Sequence, residues 1–221
     1  MLRPGFESII NDCVPRTPED KDSWSEDQQS RSYYYDDAHG YEVFRSEGHT
    51  TVWTIGHSTR EFAEFIALLE ENGIELLADV RSYPGSRKFP HFNKESLEVE
   101  LPKCDVEYIH VKQLGGRRRT RPDSKNTAWR SAAFRGYADY METDEFKAGV
   151  ADLLELANEN RVAIMCSEAV WWRCHRSMIS DYLKSAGNTV LHILGSGKVE
   201  EHPYTSAASI REGVLSYEES A

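Results

Sequence analysis

The sequence predicts an α/β fold: a three-layer Rossmann-like domain built on a mainly parallel five-stranded sheet. Short runs of β-branched and aliphatic residues alternate with stretches whose apolar residues recur at helical spacing. The run at residues 162–165 is apolar without alternation, which is typical of a strand covered on both faces. The simplest strand order for such a chain is 3-2-1-4-5, with the winding direction changing between the first and fourth strands.

Most of the predicted elements have a recognisable start or end. The first strand (residues 51–55) ends at Gly56, and the helix that follows it ends at Gly73. A second strand at residues 74–80 completes a βαβ unit, so these two strands should be parallel. Thr143 is placed to cap the helix before the fourth strand. The other predicted elements are helices at 94–101, 129–141 and 174–186 and strands at 106–111 and 189–193.

The predicted domain covers residues 49–205. Residues 1–48 are polar, acidic and without periodicity, so we expect a mostly irregular N-terminal extension, and residues 206–221 are expected to form an acidic C-terminal tail. The formal net charge of −11 argues against a protein that coats nucleic acid without sequence preference. Residues 81–135 are nevertheless locally basic, which indicates a specific anionic ligand.

Cellular location is inferred from what the sequence lacks. No stretch resembles a signal peptide, and none approaches the roughly 18 apolar residues of a membrane span. The four cysteines form no C-x-x-C pair. We therefore expect a cytoplasmic protein with reduced thiols and no membrane partner. The oligomeric state is not predicted.

The residues most able to carry chemistry follow the ends of predicted strands. Cys166 ends the fourth strand, Glu168 comes two positions later, and His57 follows the first strand. Because these strands are predicted neighbours, His57 and Cys166 should lie side by side at the carboxyl edge of the sheet. Cys166 has two interpretations. It is either a nucleophile whose pKa is lowered by a helix N-terminus and arginines such as Arg176, or a small buried apolar residue.

Cys174 and His175 leave further alternatives open. Cys174 could form a redox pair with Cys166, or it could share a metal ion with His175. The spacing C-x7-C-H matches no recognised ligand pattern, so no metal site is predicted, and the sequence identifies no cofactor. Arginines between residues 81 and 135 are interleaved with aromatic residues, which fits either a solvated surface or a groove for phosphates and bases.

Several motifs occur in an order that resembles a known family. They include T-I-G-H-S-T-R (54–60), D-V-R-S-Y-P-G-S-R (79–87), L-G-G (114–116) and C-S-E-A-V-W-W-R-C-H-R (166–176). Together they resemble domain-of-unknown-function family 488, over about residues 51–204. The resemblance implies a single Rossmann-like α/β domain and no established activity. Besides Cys166, Glu168 and His57, the motif residues that we take as candidate substrate-binding residues are Ser58, Arg60, Asp79, Arg81, Ser86, Arg87, Asn93, Gly115, Gly116, Cys174, His175 and Arg176.

The leading functional hypothesis is an enzyme that acts on a phosphate-bearing substrate, either a nucleotide or a nucleic acid. Cys166 would be its nucleophile or redox centre, and Glu168 or His57 its general acid or base. Three arginines would hold the anion: Arg81, Arg87 and Arg176. Two alternatives remain open, a non-catalytic nucleic-acid-binding module and a rhodanese-like protein that handles thiols or sulfur.

Overall fold

The structure, a computed structural model, describes residues 49–211 and 213–219. The strands are β1 (Thr51–Gly56), β2 (Leu76–Asp79), β3 (Glu107–His110), β4 (Val162–Cys166), β5 (Thr189–Gly195), β6 (Lys198–Glu201), β7 (Ser209–Arg211) and β8 (Val214–Ser216). The α-helices are α1 (Phe62–Glu71), α2 (Lys94–Glu100), α3 (Ala132–Met141), α4 (Asp144–Glu159) and α5 (Arg176–Ser185). The predicted N-terminal extension lies outside the described residues.

The main sheet has six strands in the order β3-β2-β4-β1-β5-β6. Strands β1 to β5 are all parallel to their neighbours within this set, which confirms the α/β class and the mainly parallel sheet. The predicted order 3-2-1-4-5 is wrong, because β4 lies between β2 and β1. Local patterns indicate that β1 and β2 run in the same direction. They do not indicate how many strands lie between these two in the sheet.

The predicted number of five strands is also wrong. The sixth strand, β6, pairs antiparallel with β5 after a turn in which Gly197 has a φ of +64°. All four of its residues are exposed, so it carries no alternating apolar pattern that would reveal it in the sequence. Edge strands of this kind are held mainly by backbone hydrogen bonds to a single neighbour.

Helices cover both faces of the sheet, and β4 contributes side chains to both sides. Its five residues are all buried, as the absence of alternation predicts. Val162, Ile164 and Cys166 join the apolar cluster formed with α3, α4 and α5, whereas Ala163 and Met165 join the cluster formed with α1 and α2. Because successive residues of a strand point to opposite faces, Cys166 projects toward the face that carries α5.

Two predicted helix boundaries are confirmed. Thr143 caps α4 by accepting a hydrogen bond from the backbone N–H of Phe146, at 3.3 Å. Gly73 follows the end of α1 with a φ of +62°, the left-handed conformation that glycine adopts without strain. None of the helices within residues 49–211 and 213–219 is both long and apolar enough to cross a membrane.

The segment that the sequence presents as an acidic tail contains a hairpin. Strands β7 and β8 pair antiparallel, and the next residue, Tyr217, is buried. The Tyr217 hydroxyl donates to the carboxylate of Asp181 on α5, at 2.9 Å. This contact ties the C-terminal segment to the helix that begins next to the candidate site.

Candidate functional site

Cys166, Cys174 and His175 form a cluster at the carboxyl end of β4. The Nδ1 atom of His175 lies 3.5 Å from Sγ of Cys174 and 4.0 Å from Sγ of Cys166. All three atoms lie within 4.8 Å of one another. Both cysteines are free thiols, with 6% of Cys166 and 4% of Cys174 exposed, and His175 is half-buried. We call these three residues the thiol–imidazole cluster.

A backbone contact fixes the imidazole of His175. Its Nε2 atom lies 2.9 Å from the carbonyl oxygen of Val80, the residue that follows β2. A carbonyl oxygen can only accept, so Nε2 carries the proton in this contact. In the neutral imidazole, Nδ1 is then the unprotonated nitrogen, and its lone pair faces the two thiols. The cluster therefore has a nitrogen base and two sulfur atoms directed at one point.

The surroundings of the two thiols differ. Burial raises the pKa of Cys174, but the hydrogen bond from Cys166 and the positive guanidinium and backbone N–H of Arg176 outweigh burial and lower it to about 6. The hydrogen bond with Cys174, together with burial, raises the pKa of Cys166 to about 12. The pair therefore holds one proton on Cys166 and leaves Cys174 as the thiolate, which is the nucleophilic form of cysteine.

Close backbone approaches shape the walls of the cluster. A Cβ atom on Gly116 would lie 3.0 Å from Nδ1 of His175, so the L-G-G loop packs directly on the imidazole. The ring of Tyr137 also contacts the imidazole, with ring centres 5.2 Å apart. A Cβ atom on Gly56 would overlap the carbonyl oxygen of Glu168, so a side chain at the end of β1 would displace the loop after Cys166. A side chain at Gly56 would therefore require the loop to move, whereas one at Gly116 would require the imidazole to shift slightly.

His57, Asp79 and Arg81 form a separate buried network next to the cluster. Nε of Arg81 donates to the two carboxylate oxygens of Asp79 at 2.9 and 3.1 Å, and Nη2 donates to Oδ2 at 2.5 Å. Arg81 also donates to the carbonyl of Phe92 at 2.8 Å and lies 3.3 Å from Nε2 of His57. The donors of Arg81 are thus directed at partners within the protein.

His57 and Cys166 are neighbours, as predicted, and they are joined through their backbones. The backbone N–H of His57 donates to the carbonyl of Cys166 at 3.0 Å. The side chain of His57 has other partners. Nδ1 donates to the carbonyl of Ser58 at 3.1 Å, and the ring stacks on Phe92 with centres 4.3 Å apart. Burial, followed by the charge of Arg81, lowers the pKa of His57 to about 4. Its neutral ring therefore takes part in packing and hydrogen bonding within the protein.

Arg176 is nearly fully buried behind Cys174 and begins a chain of buried polar contacts. Nη2 donates to the carbonyl of Glu168 at 2.6 Å, and Nη1 donates to the hydroxyl of Thr54 at 3.3 Å. From Thr54 the contacts continue through His192 (2.7 Å) and His202 (2.9 Å) to Asp181 (3.0 Å). Most of this chain of contacts was not predicted from the sequence, because His202 and Asp181 lie outside the motifs and 21 positions apart.

The remaining predicted residues lie around the strand ends. The carboxylate of Glu168 and the side chain of Arg87 are exposed. Arg60 donates to the carbonyls of Gly56 and Leu194. Ser58 has a positive φ of 49°, and its backbone N–H donates to Ser167. Other predicted residues support loops: Asn93 accepts from the N–H of Ser86, and Gly115 donates to the carbonyl of Lys112.

Within residues 49–211 and 213–219, one group of His, Cys, Asp or Glu side chains has the spacing needed to hold a metal ion, and it is the thiol–imidazole cluster. A cavity of about 500 Å³ lies elsewhere, between α3, α4, α5 and the β7–β8 hairpin. None of the predicted site residues lines that cavity. The chemistry that the structure brings together is therefore located at the cluster.

The fold and the site define a class: a parallel α/β protein with two thiols and an imidazole at the carboxyl edge of its central strand. The chain belongs to the domain of unknown function DUF488 family, whose sequence profile matches residues 61–183. This match confirms the resemblance seen in the motifs, and it covers β2, β4, the cluster and most of α5. No curated protein and no solved structure is significantly similar to the chain.

Proposed function

We propose that this protein is a thiol-dependent enzyme in which Cys174 and Cys166 exchange electrons with a disulfide substrate. The observation that carries the proposal is the convergence of two free thiols and Nδ1 of His175 within 4.8 Å. It favours the thiol-handling alternative among the three hypotheses from the sequence. Arg81, which was expected to hold an anion, is instead surrounded by partners within the protein.

Each step of the exchange can be written with this chain's own residues. The thiolate of Cys174 attacks one sulfur of the substrate disulfide, and the other sulfur leaves with the bonding electrons as a thiolate. His175 Nδ1, 4.0 Å from Cys166, then takes the proton of that thiol. Cys166 attacks Sγ of Cys174, a disulfide forms, and the second substrate thiol is released. The two cysteines lose two electrons and the substrate gains two, and a small thiol reductant restores the pair.

The test uses the reduced, chelator-treated full chain and a chromogenic aromatic disulfide, with Cys13 and Cys104 replaced by serine in every protein compared, including the one used as wild type, so that Cys166 and Cys174 are the only thiols. The wild type should release two equivalents of aromatic thiol per cluster and form a Cys166–Cys174 disulfide that peptide mass spectrometry identifies. Cys166→Ser should release one equivalent and retain the other as a mixed disulfide on Cys174. Cys174→Ser should react at least about tenfold more slowly, because burial still raises the pKa of the remaining thiol, Cys166.

Ser167→Ala is the matched control, since it changes an exposed hydroxyl beside Cys166 and keeps both thiols. It should behave like the wild type. If Cys174→Ser reacted as fast as the wild type, or if the mixed disulfide formed on another cysteine, the proposed role of Cys174 would be wrong.

A second candidate function is recognition of a phosphate-bearing ligand, either a nucleotide or a nucleic acid. The observation that favours it is an exposed pair beside the cluster. The guanidinium of Arg117 lies 5.7 Å from the ring centre of Tyr83, and Tyr83 is 73% exposed. Arg117 directly follows Gly116, which packs on His175. An arginine beside an exposed aromatic ring suits phosphate contact together with base stacking.

Fluorescence anisotropy with a labelled single-stranded oligonucleotide, at two salt concentrations, tests this candidate. Tyr83→Ala and Arg117→Ala should each weaken binding, and Arg117→Ala should also reduce the salt dependence. Lys198→Ala is the control, because it removes an exposed cation on β6 at the other edge of the sheet. Equal binding by all four proteins would exclude this pair as a nucleic-acid contact.

A further inference from the structure

We propose that Cys166, Cys174 and His175 bind a zinc ion with three protein ligands and an open fourth position. The proposal uses the same side chains as the thiol chemistry but does not depend on it. Zinc-bound sulfur atoms are not free to attack a disulfide, so metal binding and thiol exchange exclude one another at any moment. Zinc would then act as an inhibitor of the exchange reaction.

The spacing of the three donor atoms fits a tetrahedral zinc site. Zinc–sulfur bonds of about 2.3 Å and zinc–nitrogen bonds of about 2.0 Å place two ligands of a tetrahedron about 3.5–3.8 Å apart. In the structure the two sulfur–nitrogen distances are 3.5 and 4.0 Å. The two sulfur atoms are at most 4.8 Å apart, so they would need to approach by no more than about 1 Å. The donor types also suit zinc, which prefers thiolate and imidazole.

The second observation is the orientation of the imidazole. Metal-binding histidines usually donate their other ring N–H to a carbonyl or carboxylate, which fixes the ring and the tautomer. His175 has this arrangement, because Nε2 donates to Val80 and Nδ1 faces both thiols. Gly116 packs on the same ring and limits its rotation. The nitrogen ligand is thus held in a metal-binding orientation by the backbone of two separate loops.

The third observation is a buried cation beside the sulfur atoms. Arg176 is 1% exposed, and its Nε atom has no hydrogen-bond partner among the described residues. No carboxylate of residues 49–211 and 213–219 forms an ion pair with it. In the metal-free protein the negative charge that faces this buried cation is the Cys174 thiolate. Two zinc-bound thiolates would keep negative charge on sulfur next to Arg176.

No fourth His, Cys, Asp or Glu in the described part of the chain joins the three ligands. Structural zinc sites usually have four protein ligands, whereas sites with three leave a position for water or substrate. Ser167, which is exposed and whose hydroxyl lies 4.0 Å from Sγ of Cys166, marks the side of the cluster that faces solvent. We therefore expect the fourth ligand to be exchangeable.

The experiment uses the full chain after reduction and removal of metal by a chelator. Titration with cobalt(II) should give the visible absorption bands of a tetrahedral ion and a thiolate-to-cobalt charge-transfer band, saturating at one ion per chain. Zinc added afterwards should abolish these bands, and competition with a chromophoric chelator gives its affinity. Cys166→Ser, Cys174→Ser and His175→Gln should each lower the zinc affinity more than about a hundredfold.

Gly116→Ala tests the site without removing a ligand. Its methyl group would press on the imidazole, so we expect a loss of zinc affinity of about 10–100-fold, as for other changes that disturb ligand orientation. His91→Asn is the control, since it replaces a half-buried histidine outside the cluster. Circular dichroism identifies any variant that fails to fold. If the cysteine variants fail to fold, the zinc affinities of Gly116→Ala and His175→Gln test the proposed site.

Three results would overturn the proposal: no binding of zinc at micromolar concentration, spectra without a sulfur-to-cobalt band, or equal affinity in the ligand variants and the wild type. The disulfide assay on metal-free protein separates this proposal from the proposed function. Exchange without zinc binding refutes the metal site alone. Zinc binding without exchange refutes the thiol enzyme alone, and zinc should block exchange if both are correct.

Discussion

Replacing Asp79 with Asn would leave the guanidinium of Arg81 buried without a countercharge. The Asp79 carboxylate is fully buried and accepts hydrogen bonds from the Arg81 side chain, from the Arg81 backbone N–H at 3.0 Å and from the Tyr108 hydroxyl at 2.8 Å. Asparagine keeps the shape of the side chain but offers one oxygen instead of two, and it directs an NH₂ group at other donors.

The expected loss follows from this geometry. Removing one partner of a buried ion pair costs about 3–5 kcal/mol, because the other charge remains desolvated. For a domain of this size each kcal/mol lowers the melting temperature by about 2–4 °C, so Asp79→Asn should lower it by about 6–20 °C. Urea unfolding followed by circular dichroism, with the midpoint and slope fitted separately, measures the change in free energy.

A matched pair of variants tests the reasoning. Asp152→Asn removes an exposed carboxylate from α4, and its effect should stay within about 0.5 kcal/mol. Asp79→Leu combined with Arg81→Met removes both charges and should be less destabilising than the sum of the two single changes. If Asp79→Asn cost less than about 1 kcal/mol, the interpretation of this pair as a buried structural unit would be refuted.

Three further predictions concern the cluster and its surroundings. In chelator-treated protein, alkylation of Cys174 should rise with a midpoint near pH 6, and Arg176→Met should raise that midpoint by removing the nearby positive charge. Gly56→Ala should lower the free energy of unfolding by about 2–4 kcal/mol, because the new methyl group overlaps the loop after Cys166. Burial lowers the pKa values of His57 and His192 to about 4 and about 2. The unfolded chain therefore binds more protons than the folded chain below about pH 6.5. The free energy of unfolding should decrease as the pH is lowered below that value, by up to about 1.4 kcal/mol per pH unit for each histidine.

Each of these predictions has a result that contradicts it. An alkylation midpoint above about pH 8 would mean that Cys174 has an ordinary thiol pKa. An unchanged unfolding midpoint for Gly56→Ala, measured in urea, would show that the loop is not held against β1. His192→Gln should make the free energy of unfolding less dependent on pH than it is in the wild type. If this free energy changed with pH equally in both proteins between pH 7 and pH 4, the burial of a neutral His192 would be contradicted.

The local elements were predictable because their patterns are strong. The apolar positions of α1 (Phe62, Phe65, Ile66, Leu68 and Leu69) are all buried, as helical spacing requires. The hairpin after residue 208 was not predictable, since its six strand residues are exposed or half-buried. The burial of Tyr217 depends on a hydrogen bond to Asp181, a contact between residues 36 positions apart that no local pattern indicates.

The candidate site was predictable only in part. Cys166 and Cys174 were identified from a strand end and a helix start, but the sequence left open whether they meet. Their meeting depends on the path of residues 167–173, which is held by contacts of Glu168 with Arg176 and Gly56. The orientation of His175 depends on the carbonyl of Val80. Every residue has a backbone carbonyl, so the sequence does not indicate which one contacts this imidazole.

Strand order determines whether this site can form at all. In the order 3-2-1-4-5, β1 would separate β4 from β2, and their ends would lie roughly 10 Å apart. In the observed order β4 pairs directly with β2, and the N–H of Val80 donates to the carbonyl of Met165 at 3.0 Å. The imidazole of His175 therefore reaches both the thiol that ends β4 and the carbonyl that follows β2. The strand order, which local patterns do not specify, is what allows one histidine to be fixed by Val80 while it faces Cys166.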